Sequence, residues 1–492
     1  MITEFILPIR NRHAARLAVT LLAAFFCLRA AAAPLNVQGP GVNSNDFRIT
    51  TFASGLDFPL GMARLSDGSL LVAIGQGANF FGATGRLLRL VDANEDGIAD
   101  GPGTVLYGNL PGSQTAVGVA GNLILSTGQT KPITVLRTGA SPGSPLTFVG
   151  RIIIAYPGSW YHPNSALGLR KTPGQTNSYD LLFQLGSDEN FAVTTRTATL
   201  TNENISGATG ILPGDSAFML TITDNGTNVT ATNLRHLASG LRNPAGFAFH
   251  PATGDLYFQD NGIDGLMNAN EPHSADELNF IARTNLGGLT EYFGFPSNYT
   301  AYRTGTVVGV AGIQPLIAFQ PIPSPSGRES EGPNDIVFAP PGFPDGLNTG
   351  IFLGFHGRFN AGGTNNEENP LVYANPATGA YFHFIQGQQP GIGHLDGLLA
   401  TRDSLFVADL VTTGNTGNGA GAGVIYQIKS LVNPTAPTLG ARYVGSQIEL
   451  TWNRGVLQQA GEITGSWDDV VDAFSPHLVQ TTAPGRFYRT RY

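Results

Sequence analysis

The chain has 492 residues, of which 13% are charged and 41% hydrophobic, with 64 glycines, 32 prolines and a formal net charge of −8. These values exclude a coiled coil, which needs periodic Ala/Glu/Lys/Leu/Arg-rich runs, and a collagen, which needs glycine at every third position. The acidic balance also argues against a nucleic-acid-binding protein. Low charge together with many glycines is typical of short strands and tight turns, so the composition predicts an all-β protein.

The first 33 residues have the pattern of a signal peptide. Basic residues precede an apolar run over 17–28, and alanines at 30–33 supply a small-residue cleavage site. A run of this length is too short to span a bilayer. We therefore predict an exported protein, secreted or periplasmic, with no stable membrane span after cleavage of residues 1–33; an uncleaved membrane anchor is the alternative. The single cysteine, Cys27, lies in this segment, so the mature protein would have no thiol.

Between residues 40 and 430 a short pattern recurs six times: a turn with Gly or Pro, an apolar strand, a second turn and a second apolar strand. The second strands are predicted at 70–75, 123–128, 181–186, 256–261, 351–357 and 405–409. A lone hairpin cannot bury both faces, whereas six hairpins stacked radially can. The repeat therefore predicts a six-bladed β-propeller over 40–430, in which 424–428 completes the last blade and 47–50 helps to close the ring. A β-sandwich or several small β domains is the alternative.

The pattern changes after residue 430. Residues 431–437 contain two prolines and have the composition of a linker. Residues 438–492 alternate apolar and polar side chains, with Trp452 and Trp467 as predicted core anchors. This pattern predicts a small all-β module, similar to the β-sandwich modules appended to exported bacterial enzymes, and we assign it no chemistry.

Two segments place polar side chains just before predicted inner strands. In a propeller, the ends of the inner strands and the loops between blades line one end of the central channel, which is the usual place for a site. His162 precedes one inner strand, and a neutral imidazole there could act as a general base; a loop histidine capping a turn is the alternative. Arg242 and Asn243 precede another, where a guanidinium beside an amide suits carboxylate or quinone oxygens; a plain Asn-Pro turn with a solvated arginine is the alternative.

Two acidic segments are candidates for Ca²⁺. The first runs from Asp260 to Asp264 and continues with Asp276 and Glu277, which could hold the ion or form an ordinary turn. The second fits the start of a Ca²⁺ loop, but its twelfth position is a glycine instead of a bidentate glutamate. A weak structural site or a plain hairpin turn is therefore expected there. The candidate ligands of this second segment are Asp92, Asn94, Asp96 and Asp100.

These motifs together resemble a known family. From about Phe47 to Ile428 the chain is similar to the glucose/sorbosone dehydrogenase family, soluble six-bladed propellers that use pyrroloquinoline quinone (PQQ) and Ca²⁺. The most specific match is the segment 240–257, GLRNPAGFAFHPATGDLY, which is followed by 260–262 (DNG) and 276–279 (DELN). His162 with 185–190 and the segment 352–360 (FLGFHGRFN) are similar to two further family elements.

The resemblance implies roles for residues at the channel. His162 would take the hydroxyl proton of the substrate while hydride passes to PQQ, and Arg242 and Asn243 would hold the quinone oxygens. Arg242 thereby joins His162 as a catalytic candidate.

The resemblance also implies a Ca²⁺ site that polarises PQQ. The backbone carbonyls of Gly262 and Ile263 would contact the ion, with Asp276 or Glu277 in reserve.

Three further residues are matched to cofactor contacts, and two departures accompany them. Gln114 is matched to an early cofactor-contacting glutamine, and His356 or Arg358 would replace a cationic residue. The family's late paired arginines, which bind the carboxylates of PQQ, are expected near 393–396, where the chain has no arginine. Each lost charge-assisted contact would weaken cofactor binding by about 1–3 kcal/mol. The family's "GD" strand end has become Gly-Ser at 186–187.

The sequence thus predicts an exported oxidoreductase that oxidises a sugar or other alcohol by hydride transfer to PQQ, with Ca²⁺ and an external electron acceptor. Two alternatives stay open: a non-catalytic propeller that binds carbohydrate or protein, and a Ca²⁺-dependent hydrolase of the lactonase type.

Overall fold

The computed structural model describes residues 33–82, 84–268, 271–327, 332–358, 362–365, 370–480 and 485–491. The predicted signal segment with Cys27 lies outside this part of the chain apart from Ala33. The described residues form strands and three short 3₁₀ helices, at Ser44–Asp46, Arg283–Asn285 and Gly363–Asn365. Within the same ranges, no helix has the length and apolar character to cross a bilayer.

The strands of the first two blades follow one another along the chain. β1 (Phe47–Leu56) precedes them and pairs elsewhere. The first blade consists of β2 (Met62–Arg64), β3 (Leu70–Gln76), β4 (Thr84–Leu90) and β5 (Thr104–Leu110). The second begins with β6 (Ala116–Ala120), β7 (Leu123–Thr127), β8 (Ile133–Arg137) and β9 (Thr147–Ala155).

The third blade is interrupted by an excursion that enlarges the second. After β10 (Leu167–Lys171) and β11 (Ser178–Leu185), the chain forms β12 (Thr197–Glu203), β13 (Ser206–Gly207) and β14 (Gly210–Pro213). β12 and β14 extend the sheet of the second blade beyond β9, while β13 pairs in parallel with the later β16. The third blade is completed by β15 (Ser216–Asp224) and β16 (Val229–Ser239).

The last three blades follow the same antiparallel order. The fourth contains β17 (Pro244–Phe249), β18 (Leu256–Asp260), β19 (Glu277–Ile281) and the outer strand β23 (Ile317–Ala318). Between β19 and β23 the chain forms β20 (Glu291–Tyr292), which pairs with β16, and a separate hairpin of β21 (Tyr299–Thr300) and β22 (Val307–Val308). The fifth contains β24 (Pro333–Phe338), β25 (Ile351–Phe355), β26 (Leu371–Asn375) and β27 (Ala380–Ile385). The sixth contains β28 (Gly397–Ala400), β29 (Ser404–Asp409) and β30 (Gly423–Ser430).

The ring is closed by β1, which pairs antiparallel with β30 from Phe47 opposite Ser430 to Leu56 opposite Gly423. The innermost strands β2, β6, β10, β17, β24 and β28 contact one another in sequence around a central channel of about 370 Å³. The predicted class, an all-β six-bladed propeller, is thereby confirmed.

Glycines allow the inner strands to approach one another closely. A Cβ on Gly168 of β10 would lie 2.7 Å from the Cβ of Phe247 in β17, and a Cβ on Gly61 would lie 2.6 Å from the backbone nitrogen of Val117 in β6. Such distances are below van der Waals contact, so any larger residue would push neighbouring blades apart. The high glycine content therefore reflects blade packing as well as turns.

The hydrophobic core lies in the wedges between blades. Between the second and third blades, for example, Leu125 and Val135 pack with Phe183 and Phe218, all of them buried. The two phenylalanine rings stack with centroids 5.4 Å apart. Each such side chain contributes roughly 1.5–3 kcal/mol by leaving water, so the wedges stabilise the ring without disulfides.

The C-terminal module is a pair of three-stranded sheets, as the sequence predicts. Its strands are β31 (Leu439–Val444), β32 (Gln447–Trp452), β33 (Val456–Ala460), β34 (Asp468–Asp469), β35 (His477–Gln480) and β36 (Phe487–Arg491). One sheet has the order β31-β32-β35 and the other has the order β34-β33-β36. Trp452 lies in the module's core, together with Ala252 of the propeller. The prediction for Trp467 was wrong: its ring lies outside this core under the guanidinium of Arg489, 4.3 Å away, because an adjacent cation can cover an indole face as well as apolar packing does.

Candidate functional site

The structure gathers the predicted channel residues at one end of the propeller. The mouth, as we call it, is the end of the channel at which the inner strands begin and the second strands of each blade finish. Gln114, His162 and Asn243 shortly precede inner strands, while His356 and Arg358 follow the second strand β25. Antiparallel pairing, such as Pro244 opposite Asp260, brings both kinds of position to the same rim.

His162 is held as a neutral imidazole. Its Nδ1 lies 3.0 Å from the carbonyl oxygen of Ser187 and 3.4 Å from the Ser187 hydroxyl, and its backbone N–H donates to the same carbonyl at 3.0 Å. Because a carbonyl only accepts, Nδ1 carries the proton and Nε2 keeps its lone pair. Burial, followed by the charge of Arg242, lowers the pKa of His162 to about 3. The imidazole is therefore uncharged over the whole physiological range.

Arg242 is buried beside this base and is already paired. Its side chain is 4% exposed, with Nη2 2.6 Å from Asp264 Oδ2 and 2.8 Å from the side-chain oxygen of Asn190. The backbone N–H groups of Arg242 and Asn243 both donate to the Asp260 carboxylate, at 2.9 and 2.7 Å. Asp260 thus fixes the Arg-Asn dipeptide, and any ligand that reaches the guanidinium competes with Asp264.

Two further predicted residues are placed differently from each other. Asn243 is half-buried at the mouth, and its side-chain amide donates to Asn261 Oδ1 at 3.4 Å. Gln114 is 1% exposed. Its amide nitrogen donates to the carbonyl of Pro111 at 3.0 Å, and its oxygen accepts from Ser126 at 2.7 Å. The structure therefore presents Asn243 to the mouth and uses Gln114 to brace a turn.

Sequence reasoning missed the residues that join these elements. The Tyr161 ring packs edge-on against His162 with centroids 4.3 Å apart, and its hydroxyl donates to Asp264 Oδ2 at 3.0 Å. Asp264 therefore links the Tyr161 platform to the Arg242 guanidinium. The only available signals were that Tyr161 adjoins His162 and that Asp264 follows the DNG turn; nothing in the sequence shows that the two loops meet.

The opposite side of the mouth holds a stacked pair of imidazoles. His356 Nδ1 lies 2.8 Å from Asp396 Oδ2, and its ring stacks on His394 with centroids 4.0 Å apart and planes within 6°. Both Asp396 and His394 are fully buried. Burial opposes ionisation of Asp396, but the charge and hydrogen bond of His356 outweigh it and lower the pKa of the carboxyl. His394 of this pair lies within 393–396, where the resemblance predicts paired arginines.

His394 has a carbonyl oxygen opposite each ring nitrogen. Nδ1 lies 2.6 Å from the carbonyl of His356 and Nε2 lies 3.0 Å from that of Gly414. A neutral ring has one N–H, so both contacts are satisfied at once only in the protonated ring. Burial and then the neighbouring His356 act in the other direction and lower the pKa of His394. Burial thus favours the neutral ring, which donates to one of the two carbonyls. The contacts of the ring with His356 and Gly414 link the fifth and sixth blades.

Three of the predicted Ca²⁺ ligands near the fourth blade, Ile263, Asp276 and Glu277, are engaged within the protein. The Ile263 carbonyl accepts from the backbone N–H groups of His273 and Ser274 at 2.7 and 3.4 Å. Asp276 accepts from the backbone N–H of Gly262 at 2.7 Å and from that of Gly332 at 2.9 Å.

Burial raises the pKa of Asp276 to about 7 and that of Glu277 to about 8. Glu277 accepts from the Asn279 amide at 3.2 Å. These carboxyls fit a hydrogen-bonded scaffold better than an open ion site.

The second predicted Ca²⁺ segment lies at the far end of the first blade, in the turn between β4 and β5. Asp92 accepts from the backbone N–H groups of Asp96 and Gly97, at 3.1 and 2.9 Å. The Asn94 amide donates to Asp96 at 3.0 Å, and Asp100 accepts from the Ala93 N–H at 2.7 Å. In the described ranges, no group of three or more His, Cys, Asp or Glu side chains has an arrangement that could hold a metal ion.

Comparison with known proteins adds a family match and structural neighbours. A family model described as TrAA12-like matches residues 172–324, the segment that contains Arg242, Asn243, Asp264 and Asp276. Of the curated proteins, one from Borreliella burgdorferi, described as uncharacterized, is 45% identical over 60 residues. That match covers 12% of this chain and spans only 14% of the relative's length.

Three solved structures are among those similar to this chain. The calcium structure of a Trichoderma reesei carbohydrate-active enzyme of family AA12 is 15% identical, with 81% of this chain and 98% of that one covered and a TM-score of 0.52. The holo PQQ domain of pyranose dehydrogenase from Coprinopsis cinerea is 17% identical, with 81% and 98% covered and a TM-score of 0.49. PQQ-bound aldose sugar dehydrogenase from Streptomyces coelicolor is 16% identical, with 78% and 98% covered and a TM-score of 0.48. The matched segment and the propeller fold together confirm the predicted resemblance to the glucose/sorbosone dehydrogenase family.

Proposed function

We propose that this protein is an exported oxidoreductase that oxidises a sugar or a related alcohol with PQQ as its cofactor. The observation that carries the proposal is the neutral His162, whose Nε2 lone pair lies at the mouth beside the buried Arg242. The match to a TrAA12-like family model over the segment with the Arg-Asn dipeptide supports it. The secreted or periplasmic location rests on the signal pattern of residues 1–33.

The side chains at the mouth fit the redox end of PQQ. When bound, this quinone accepts the hydride that leaves the carbon of the substrate alcohol. The donors of Arg242 and the Asn243 amide would hold its oxygens, as charge-assisted and neutral hydrogen bonds respectively. At the other end His356 and Arg358 are the nearest matches to the expected cations, and the paired arginines that would bind its carboxylates are absent from 393–396.

His162 is suited to take the proton that the substrate hydroxyl loses. Its Nδ1–H bond to the Ser187 carbonyl fixes the tautomer and aims Nε2 away from that carbonyl. The low pKa keeps the ring unprotonated but also makes it a weak base, so the proton passes to Nε2 only as the hydride leaves the substrate. The same low pKa makes the protonated ring a strong acid, which returns the proton readily to water after turnover.

Ca²⁺ enters the proposal only as an ion added in the reconstitution, and we assign it no ligands. The carbonyl of Ile263 and the carboxylate of Asp276 both accept backbone hydrogen bonds, and an ion would have to displace those donors. We therefore derive no step through Ca²⁺.

The proposal is tested by reconstitution. Purified protein is mixed with micromolar PQQ, with and without Ca²⁺, and binding is followed by the quinone absorbance; dye reduction is then measured with a panel of aldoses. We expect saturable binding and turnover with at least one sugar. Absence of PQQ binding at micromolar concentration would exclude the proposed cofactor.

A matched pair of variants tests the base. In His162→Gln we expect turnover to fall by 10²- to 10⁴-fold, the usual contribution of a general base, with PQQ binding retained. His236→Gln is the control, because His236 is also half-buried with a pKa lowered by burial, but lies on the third blade with its Nε2 2.8 Å from Ser216 Oγ. Equal turnover of the two variants would remove His162 from this role.

A further inference from the structure

A second polar cavity lies at the end of the propeller opposite the mouth. It has a volume of about 490 Å³ and is lined by the end of β10, by β15 and β16, by the segment after β19 and by Phe474 of the C-terminal module. His162 precedes β10, whereas the cavity residue Arg170 is near the last position of that strand. The cavity is thus separate from the candidate active site and lies where the module meets the propeller.

The charges that line this cavity do not cancel. Arg170 pairs with Asp180 at 2.9 Å, and Asp180 also accepts from the Thr172 hydroxyl at 2.9 Å, so this pair is neutral overall. Two other lining arginines, Arg235 and Arg283, have no carboxylate within ion-pair distance among the residues described. Asp180 is the one carboxylate of the described lining. The lining therefore carries more positive than negative charge.

Both arginines are positioned by close neighbours. A Cβ on Gly287 would lie 2.6 Å from Arg235 Nη1, so the guanidinium rests against the backbone of Gly287. The Arg283 guanidinium lies 5.0 Å from the centroid of the Phe474 ring. Cation–π contact of this kind holds the charge while leaving its N–H donors available to a ligand. The two cations are therefore set on the wall of the cavity by the propeller and by the module respectively.

The remaining lining residues offer neutral hydrogen-bonding groups. Gln175 and Asn233 line the cavity, and the Asn233 amide donates to the Thr221 hydroxyl at 3.4 Å, which leaves its oxygen for another partner. A volume of about 490 Å³ exceeds what a simple oxyanion needs and is in the range of small-molecule sites. Guanidinium groups bind carboxylates, and amides and hydroxyls bind sugar hydroxyls.

We propose that this cavity binds a sugar acid, a molecule with one carboxylate and several hydroxyl groups. Arg235 and Arg283 bind the carboxylate, and the amides bind the hydroxyls. Two classes of molecule share this chemistry, namely uronic acids in ring form and open-chain aldonic acids.

Calorimetric titration of the full-length protein at constant ionic strength tests this site without any cofactor. The probes are D-glucuronate, D-gluconate, D-glucose and sulfate, and the proteins are the wild type, Arg235→Gln, Arg235→Lys and the control Arg486→Gln. Arg486 is exposed and is not among the cavity residues, and its replacement by glutamine changes the net charge by the same amount as Arg235→Gln. We expect a sugar acid to bind wild type and Arg486→Gln equally and Arg235→Gln about tenfold more weakly, as expected for one charge-assisted hydrogen bond.

The outcomes separate the possibilities. Binding of glucuronate alone assigns the ring form, binding of gluconate alone assigns the open chain, and partial recovery in Arg235→Lys supports the role of the charge. Unchanged affinity in Arg235→Gln would overturn the proposal. So would glucose or sulfate binding as tightly as both sugar acids, since the site would then recognise only hydroxyls or only charge.

Discussion

The two sides of the mouth use the same residue type in opposite ways. On the side of the third and fourth blades, His162 donates from Nδ1 to a backbone carbonyl and is kept neutral. On the side of the fifth and sixth blades, His356 donates from Nδ1 to the buried Asp396 carboxylate. A carbonyl fixes the tautomer, and burial keeps the His162 ring uncharged, whereas His356 lowers the pKa of the Asp396 carboxyl. The partner of Nδ1 is therefore a neutral carbonyl on one side of the mouth and a buried carboxylate on the other.

The carboxylates on the two sides differ in exposure. Arg242 has its charge balanced by Asp264, whose side chain is 51% exposed and can be displaced by a ligand. The His356 ring has its partner in Asp396, which is fully buried and held in place. We infer that the first side is built for exchange with ligands and the second for stability.

The largest expected effect concerns the buried carboxylate. Asp396→Asn removes the buried carboxylate that accepts from His356 Nδ1, and we expect a loss of about 3 kcal/mol in the free energy of unfolding, typical for a buried pair that loses one partner. Urea denaturation measures it. The same substitution at Asp264 is the control. A loss below about 1 kcal/mol at Asp396 would show that the second side is not the structural one.

The next effect is a pH dependence of stability that originates on the first side. The pKa of His162 is about 3 in the folded protein and near 6.5 when unfolded, so the unfolded chain binds the proton more readily. The contribution to stability is complete above pH 6.5 and is lost as the pH falls towards 3. At pH 5 the loss amounts to about 2 kcal/mol.

This loss is measured as the change in unfolding free energy between pH 7 and pH 5. In His162→Gln that change is expected to be smaller than in the wild type by the stated amount. Identical slopes in the two proteins would contradict the low pKa.

A smaller effect on stability, with a larger one on binding, is expected at Asp264. Asp264→Asn weakens a half-exposed ion pair, so the unfolding free energy should change by less than about 1 kcal/mol. The freed Arg242 guanidinium should then bind PQQ roughly tenfold more tightly, because the ligand no longer competes with a carboxylate. Absorbance titration measures the affinity. Asp67→Asn, which breaks the Arg89–Asp67 pair of the first blade, is the control and should leave it unchanged.

The smallest effect is expected at Ser187. Its hydroxyl is the more distant partner of His162 Nδ1, at 3.4 Å against 3.0 Å for the carbonyl, and it also donates to the carbonyl of Glu189. Ser187→Ala removes the hydroxyl and keeps the carbonyl, so turnover should stay within about threefold of the wild type, with a stability loss of about 1 kcal/mol. A hundredfold loss of turnover would mean that the hydroxyl, and not the carbonyl, orients the base.

Part of the site was predictable because strand order alone places it. His162 and Arg242 each precede an inner strand, and all inner strands of a propeller begin at the same end, so their meeting at the mouth follows from the repeat. The partners were not predictable in this way. Asp264 meets Tyr161 across 103 residues, and Asp396 meets His356 across 40, through loops whose closeness depends on the radial arrangement of blades. For Gln114 the sequence showed the motif, but only the tertiary structure shows that the side chain is buried.

The amino-acid sequence by itself determined that this chain is an all-β six-bladed propeller followed by a small β module, because turns, alternation and glycine positions are local features that each hairpin repeats. It also indicated that His162, Arg242 and Asn243 come near the channel. The tertiary structure decided which of them are charged, which are already paired and which are exposed, because desolvation and ion pairing depend on neighbours that are distant in sequence. The cavity arginines opposite the mouth belong to this second class, since their cavity forms only where the module meets the propeller.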